Sequence, residues 1–574
     1  MASLSQFNGV LGVRKAKHLL RRACFNYDKA TLDTFATLTP SQALATLTTT
    51  PTTPFAEPYD PIENGANSQC PGTIDAYWLT SGNPPSYYNC AQQRKRSIVS
   101  SWWWYNAINQ NSLKHKLTFF LHTTFTISKD DGSGRSGHFY DYLRLLEFYA
   151  YGSIKTLAKK ITFDNAMLYY LDNHANNKNN PNENYSREFL ELFTICKGPQ
   201  IGEGDYTNYT EDDVVMAAKV FSGIKFKAQR DTIDPDTGIP MGYINVGQHN
   251  TGNKTFSHAF GNTTISGGNN VNSINQELDD FVDMIFNQLE TAKAYCRKLY
   301  RFYVQREWGQ DVEDDIITPL ANQLMSDNGN GAYNLLDVLT TLLCSEHFYD
   351  EDDNDNSNNI IGSKIKSPLQ LLSETLTIFE YPIPFSDPSD IANYNKFFKF
   401  WHNFCNKSVL PGGGMGIFAP DTVAGYPADY QAPMFDRAWF SSNNIIARYN
   451  LMGSLLQGRN LIAGLQMNNN GNTYYINLFS NLDIVEYIKQ NISIPTDQYV
   501  IVTELSELMY CESIDNSRKD YFMEFLVPAG FPIYYWSDVW NSYLSGDQND
   551  ALVVKNRLEQ LVTKMVNAAE FQLM

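Results

Sequence analysis

Apolar residues recur three and four positions apart along most of the chain, which is the spacing of one face of an α-helix. This pattern predicts helices within residues 13–48, 91–127, 140–171, 276–308, 313–348, 367–379 and 550–571. The Gly-, Asn- and Thr-rich segment 228–274 breaks the pattern and fits one or two small β-hairpins. The expected fold is therefore mainly α, a large multi-helix unit with long irregular loops.

The clearest helix signals lie in residues 171–223. Asn180 is a good N-cap, Pro181 suits the first helical position, and Gly198 follows a basic last turn. These signals predict one helix from Pro181 to Cys196. Thr210, with Asp213 three residues later, predicts a capping box at the start of a second helix.

The helix from Pro181 to Cys196 has an apolar face and an opposite charged face. Arg187 lies four residues from both Glu183 and Glu191, so it can pair with either carboxylate. Glu188 and Glu191 are three apart and are also neighbours. We expect this polar face to press against other parts of the protein and to be partly buried. The apolar face consists of Tyr185, Phe189, Leu192, Phe193 and Cys196.

Three segments interrupt the predicted helices. Residues 49–90 form a turn-rich excursion, 228–274 form the insertion described above, and 350–359 form an acidic loop. The insertion can lie over the central helices as a lid. Cys70 and Cys90 share the first excursion, so we expect them to be close in space and to be bonded if the protein is exported.

The charge balance excludes one class of partner. Lys and Arg number 44 against 62 Asp and Glu, for a net charge of −18. A nucleic acid is not expected as a partner, because phosphate-backbone binding needs a basic surface. No apolar run approaches the ~20 residues of a membrane helix, and the first residues lack the apolar block of a signal peptide. The sequence as written predicts a cytoplasmic protein, with a periplasmic or extracellular location as the alternative.

Several blocks of sequence resemble the uncharacterised bacterial family catalogued as domain of unknown function 1800. The central text PNENYSREFLELFT and YTEDDVVMAAKVFSG is similar to the family signature. The other family-like blocks are HLLRRACF at 18–25, KLTFFLHTTF at 116–125, RKLYRFYV at 297–304, KIKSPLQLL at 364–372, PDTVAGYP at 420–427 and AEFQL at 569–573. They follow the family's order without an intervening linker, so we predict that residues 1–574 form one unit. The family often shows a second histidine two residues after His122, where this chain has Thr124.

Two functions of different classes follow. In the first, the protein is a hydrolase, and Glu188, Glu191, Arg187 and His122 are its catalytic residues, because paired carboxylates can divide acid and base roles. Glu188, Glu191, His122 and Asp172 are also the candidate ligands of a divalent metal ion. However, E-x-x-E without a following histidine departs from the E-x-x-H of di-iron bundles.

In the second, the protein is a non-catalytic scaffold or accessory component of a bacterial export or cell-surface system, and the polar helix face is a structural spine. The family resemblance favours this second function, because related genes often lie beside those of another uncharacterised family, domain of unknown function 1501. That family looks like an alkaline-phosphatase-type secreted protein. A protein of that family is therefore the expected partner.

Overall fold

A computed structural model describes residues 2–49, 58–60, 78–79, 91–327, 329–352, 359–384, 396–461, 466–469, 472–475 and 479–574. The described chain is mainly helical, as the hydrophobic pattern predicted. Its α-helices are Gly12–Ala23, Lys29–Ala36, Pro40–Thr48, Gln92–Asn109, Leu113–Thr124, Ser136–Tyr149, Ile154–Ile161, Asn165–Tyr170, Glu183–Glu188, Glu211–Phe221, Val271–Phe286, Leu289–Tyr303, Gln310–Val312, Thr318–Met325, Leu335–Leu343, Pro368–Ile378, Leu410–Gly412, Pro427–Tyr430, Asn444–Gln457, Ile484–Asn491, Gln498–Met509, Asn516–Met523, Tyr535–Leu544, Gln548–Asn567 and Ala569–Gln572. Wider π-helical turns span Phe189–Phe193, Glu313–Ile317 and Phe398–Val409.

The β-structure consists of short two-stranded antiparallel pairs. Within and beside the insertion, Ile224–Lys225 pairs with Tyr243–Ile244, and Lys254–Thr255 pairs with Thr264–Ile265. Small hairpins were predicted for this segment. The other pairs are Gln200–Gly202 with Asp205–Tyr206, and Gln466–Asn469 with Asn472–Tyr475.

The apolar faces of the helices meet in one contiguous buried cluster that reaches from Leu11 to Phe571. Side-chain caps set many helix starts, because a cap oxygen satisfies a backbone N–H that has no partner within the helix. Such caps are made by Asp28, Thr39, Ser112, Ser153, Asp164, Thr210, Ser367 and Asp483. In the described residues no helix is long and apolar enough to cross a membrane.

The first central helix differs from its prediction. Asn182, not Asn180, is the N-cap, and the α-helix Glu183–Glu188 continues as the π-helix Phe189–Phe193. A π-turn accommodates one extra residue per turn, so it rotates the residues that follow. Leu190 is consequently fully buried, whereas Leu192, which was predicted on the apolar face, is only partly buried.

The second central helix, Glu211–Phe221, starts with the predicted capping box between Thr210 and Asp213. It stops at Gly223, whose φ of +81° favours glycine. A Cβ there would also lie 2.8 Å from the backbone oxygen of Asn245. The local sequence was therefore sufficient to predict where this helix begins and where it ends.

The insertion is tied to the first turn of that second helix. The backbone N–H and hydroxyl of Ser257 both donate to the Asp213 carboxylate at 2.7 Å. Further on, the buried Glu277 carboxylate of the helix Val271–Phe286 accepts from His249 Nε2 at 3.0 Å and from Lys254 Nζ at 2.5 Å. These contacts hold the insertion against both helices.

Two predictions fall on residues outside the described part of the chain. Cys70 and Cys90 lie there, as does most of the excursion 49–90. Residues 353–358 of the acidic loop also lie outside the described part of the chain. The Asp350 carboxylate, at the start of that loop, accepts from the backbone N–H groups of Ile360 and Ile361 at 2.7 and 3.1 Å.

Candidate functional site

Two adjoining cavities lie between the helices Leu113–Thr124 and Leu289–Tyr303 and the segment 415–439. The larger has a volume of about 210 Å³ and the smaller of about 60 Å³, and both are walled by Phe302 and Asp429. The larger is also lined by Phe120, Thr123, Thr124, Glu191, Leu192, Cys196, Lys298, Arg301, Val423, Ala424 and Tyr430. The smaller is also lined by Phe25, Lys116, Phe119, Lys364, Ile365, Ser367, Gln370, Met415, Tyr426, Ala428, Asp436, Trp439 and Met574.

The cavity walls are built from the family-like blocks. HLLRRACF supplies Phe25, and KLTFFLHTTF supplies one whole side with Lys116, Phe119, Phe120, Thr123 and Thr124. Four further blocks supply Glu191 and Leu192 from PNENYSREFLELFT, Lys298, Arg301 and Phe302 from RKLYRFYV, Lys364, Ile365, Ser367 and Gln370 from KIKSPLQLL, and Val423, Ala424 and Tyr426 from PDTVAGYP. Blocks that are far apart in sequence therefore meet around the two adjoining cavities.

Asp429 lies where the two cavities join. It is on the short helix Pro427–Tyr430 and is partly buried. Among the described residues, none donates a hydrogen bond to its carboxylate or lies within ion-pair distance of it. Burial raises the pKa of Asp429 to about 6, although the positive charges of Lys364 and Arg301 favour its ionised form.

Lys364 faces the smaller cavity near Asp429. Its Nζ donates to the backbone oxygens of Arg301 at 2.5 Å and Phe302 at 2.8 Å, in the last turn of the helix Leu289–Tyr303. Burial lowers the pKa of Lys364 to about 7. Two N–H groups satisfy the two carbonyls, so the third position of the nitrogen can carry either a proton or a lone pair. Lys364 can therefore gain or lose a proton without breaking these contacts.

Lys116 and Gln370 form the opposite side of the smaller cavity. Lys116 Nζ donates to Gln370 Oε1 at 2.6 Å and lies 4.2 Å from the centre of the Phe25 ring. Burial lowers the pKa of Lys116 to about 7. The amide oxygen of Gln370 faces this lysine, so its Nε2 points the other way. No acceptor for this buried amide nitrogen lies among the described residues.

Two further cations line the larger cavity. Lys298 Nζ donates to the backbone oxygen of Leu192 at the end of the π-helix, and burial lowers its pKa. Arg301 lies between the rings of Trp308 and Phe435, with its guanidinium carbon 5.0 and 4.7 Å from their centres.

The charges around the two cavities are not balanced. Lys116, Lys298, Arg301 and Lys364 have no carboxylate within 4.0 Å in the described part of the chain. Among the described side chains that line the two cavities, Asp429 has the one carboxylate without an ion-pair partner. The other two acidic wall residues have partners, since Glu191 pairs with Lys197 and Asp436 with Arg306. The cavities are thus locally cationic in a protein whose net charge is −18.

Of the residues predicted for the site, only Glu191 lines a cavity. It pairs with Lys197 at 2.6 Å. Of the two carboxylates that helix spacing offered to Arg187, the arginine therefore contacts Glu183 and not Glu191. Arg187 makes two bonds to Glu211 at 2.6 and 2.7 Å and one to Glu183 at 3.3 Å. The following helix packs alongside and brings Glu211 within reach, which sequence spacing did not show.

The polar face is also less buried than predicted. The Arg187 side chain is 33% exposed and that of Glu211 is 42% exposed. Glu188 is partly buried, and no described residue donates to its carboxylate. Burial and the nearby charge of Glu191 raise the pKa of Glu188 to about 7. It lies outside the walls of both cavities.

The other two predicted residues lie elsewhere. His122 is fully buried behind the cavity wall, and its Nδ1 lies 3.0 Å from the Tyr142 hydroxyl, which itself donates to the backbone oxygen of Phe125. Burial lowers the pKa of His122 to about 3. Asp172 is exposed at a turn with a φ of +57°.

The predicted metal ligands do not come together. No three His, Cys, Asp or Glu side chains form a group able to hold a metal ion anywhere in the described residues. Glu188, Glu191, His122 and Asp172 are all described and are included in this statement. Thr124, which replaces the second histidine expected from the resemblance, does line the larger cavity.

The residues that sequence reasoning missed are Lys116, Lys364 and Asp429. The two lysines lie inside family-like blocks, and Asp429 lies two residues after another block. Lys116 carries a weak sequence signal, because it lies three residues from Leu113 and four from Phe120 of the apolar face.

The family model for proteins of unknown function called DUF1800 matches residues 18–573, so the chain belongs to this family. No curated protein and no solved structure gives a significant match to the chain. The function therefore has to be inferred from the site itself.

Proposed function

We propose that the protein is a hydrolase whose active site is the pair of adjoining cavities around Asp429 and Lys364. The observation that supports this proposal is the carboxylate of Asp429, which is partly buried and has no hydrogen-bond partner among the described residues. Buried polar groups that serve only the fold are normally paired, because an unpaired one costs stability. Titrating groups with pKa values near neutrality, gathered in a cavity, are typical of catalytic sites.

The two groups divide the acid and base roles. Asp429, once ionised, removes a proton from a water molecule that attacks the substrate, and protonated Lys364 gives a proton to the leaving group. With pKa values of about 6 for Asp429 and about 7 for Lys364, both groups are in the required form between these values. We expect a bell-shaped dependence of kcat/KM on pH with its maximum in that interval. The two apparent pKa values of this curve belong to the Asp429–Lys364 pair and not to either residue alone.

The test is a screen for substrate turnover with a matched pair of variants. The full chain is incubated with small esters, amides and glycosides and with a small-molecule extract, and products are followed by mass spectrometry. Asp429→Asn should abolish turnover, because the amide cannot accept the proton. Asp421→Asn, which changes an exposed carboxylate of the same segment, should leave it unchanged.

Turnover that persists in Asp429→Asn would place the chemistry elsewhere in the protein. An absence of turnover by the unaltered protein would favour the non-catalytic scaffold. In that case the partner suggested by the family resemblance, a protein of the domain of unknown function 1501 family, should co-elute with this chain in size-exclusion chromatography.

A further inference from the structure

We infer that the smaller cavity is an oxyanion subsite that binds the carboxylate of a small organic acid. The inference rests on the proposed function only in treating this acid as the substrate. The subsite is walled by Lys116, Lys364, Ser367 and Gln370, and it opens toward Asp429 and the larger cavity.

The first argument is the unused donor of Gln370. Lys116 fixes the amide orientation by donating to Oε1 at 2.6 Å, so Nε2 is left as a donor without an acceptor in the part of the chain that the structure describes. The side chain is only 1% exposed, so bulk water does not readily satisfy this group. Buried amide donors in folded proteins almost always have an acceptor. An oxygen atom of a ligand in the cavity would provide it.

The second argument is the uncompensated charge. Lys116 and Lys364 face the same small space, and neither has a carboxylate within 4.0 Å among the described residues. The three N–H groups of Lys116 already face Gln370 Oε1 and the backbone oxygens of Cys24 and Arg21, at 2.6, 3.3 and 3.5 Å. A bound anion would therefore supply the missing negative charge beside both lysines and accept its hydrogen bond from Gln370 Nε2, which leaves the third N–H of Lys364 for the leaving group. Neutral ligands would gain no such interaction.

The third argument is the arrangement of the two cavities. The smaller, of about 60 Å³, and the larger, of about 210 Å³, share Phe302 and Asp429 as wall residues. The rest of the molecule would extend past Asp429 into the larger cavity of about 210 Å³. There Arg301, which has no carboxylate partner in the described chain, favours a second acidic group.

The order of affinities follows from these arguments. Succinate should bind more tightly than acetate or inorganic phosphate, because its second carboxylate is attracted to Arg301 in the larger cavity. Binding should weaken as the pH rises through 7, because the pKa values of Lys116 and Lys364 are both about 7 in the free protein. Above pH 7 binding should take up a proton, since a bound anion favours the charged lysines.

Isothermal titration of the full chain with succinate, acetate and phosphate tests this inference. Gln370→Glu is the informative variant, because the new carboxylate keeps the contact to Lys116 but repels an anion. We expect it to weaken succinate binding by at least tenfold while the protein stays folded. Gln431→Glu adds the same charge at an exposed glutamine and should bind succinate as the unaltered protein does.

Equal succinate affinity in the unaltered protein and in Gln370→Glu, or no binding of either carboxylate, would overturn the inference. Phosphate binding more tightly than succinate would overturn the carboxylate assignment. These results are independent of the turnover screen. If Gln370→Glu abolishes succinate binding while Asp429→Asn leaves turnover intact, the subsite is supported and the proposed catalytic role is not.

Discussion

At the scale of single residues, a carboxylate with an ion-pair partner has a structural role, whereas an unpaired carboxylate in a cavity is a candidate for catalysis. Spacing along a helix pointed to Glu188 and Glu191, but spacing does not show what the rest of the fold brings near. Glu191 is neutralised by Lys197, and Glu188 has no partner among the described residues but lies outside both cavities. Asp429, which carries no local signal, has no partner in the described chain and lines both cavities. The candidate site therefore became visible only with the tertiary structure.

Arg187 provides a direct test of how far the polar face is structural. The sequence predicted a partly buried spine, and its loss would then cost roughly 3–5 kcal/mol. The structure shows a one-third exposed arginine paired with Glu211 and Glu183. Exposed pairs contribute roughly 0–1 kcal/mol, so Arg187→Ala should lower the free energy of unfolding by about 1 kcal/mol or less. Urea denaturation measures this change. A loss of more than about 3 kcal/mol in the free energy of unfolding would instead support the buried structural role that the sequence predicted.

At the scale of elements, the two central helices show what local sequence can and cannot specify. Thr210 and Asp213 formed the predicted capping box because every partner lies within four residues. The start of the first helix was misplaced because Asn180 and Asn182 are equally good caps by residue type. Asn182 is selected by a contact to Asn176, since its backbone N–H donates to the Asn176 side chain at 3.1 Å. The π-turn that follows had no sequence signature.

The end of the π-helix is held by the neighbouring helix. The buried Tyr295 hydroxyl donates to the backbone oxygen of Phe193 at 2.5 Å, and Lys298 donates to that of Leu192. Tyr295→Phe would leave a buried carbonyl without its donor, which costs roughly 1–3 kcal/mol. Thermal unfolding should show a lower Tm. Tyr243→Phe, at a residue that is 41% exposed, is the control and should leave Tm unchanged.

At the scale of the whole molecule, the hydrophobic periodicity was sufficient to predict a mainly helical protein. It could not show which blocks meet in space, because that depends on contacts between residues far apart in the chain. Lys116 and Lys364 are 248 positions apart (364 − 116), yet they line one cavity. The insertion 228–274, expected as a lid, contributes no wall residue to either cavity in the described chain.

The contiguous core supports a prediction about limited proteolysis. Buried side chains from Leu11 to Phe571 belong to one cluster, so cutting an exposed loop should not separate the pieces. We expect cleavage within 228–274 or 350–359 to give fragments that still co-elute in size-exclusion chromatography. An independently folded fragment that elutes alone would contradict a single unit.

The measurement that tests the central claim most directly is the stability of Asp429→Asn relative to the unaltered protein from pH 4 to pH 8. The pKa of Asp429 in the folded protein, about 6, lies above its ordinary value of 3.8, so folding disfavours the ionised form. This penalty is absent below the ordinary value and is fully present above the folded one. If Asp429 is an unpaired carboxylate held for chemistry, Asp429→Asn should have the higher Tm at pH 8, and the difference from the unaltered protein should be much smaller at pH 4. A variant that is less stable at pH 8 would show that the carboxylate is paired and structural, and it would contradict the assignment of Asp429 to an active site.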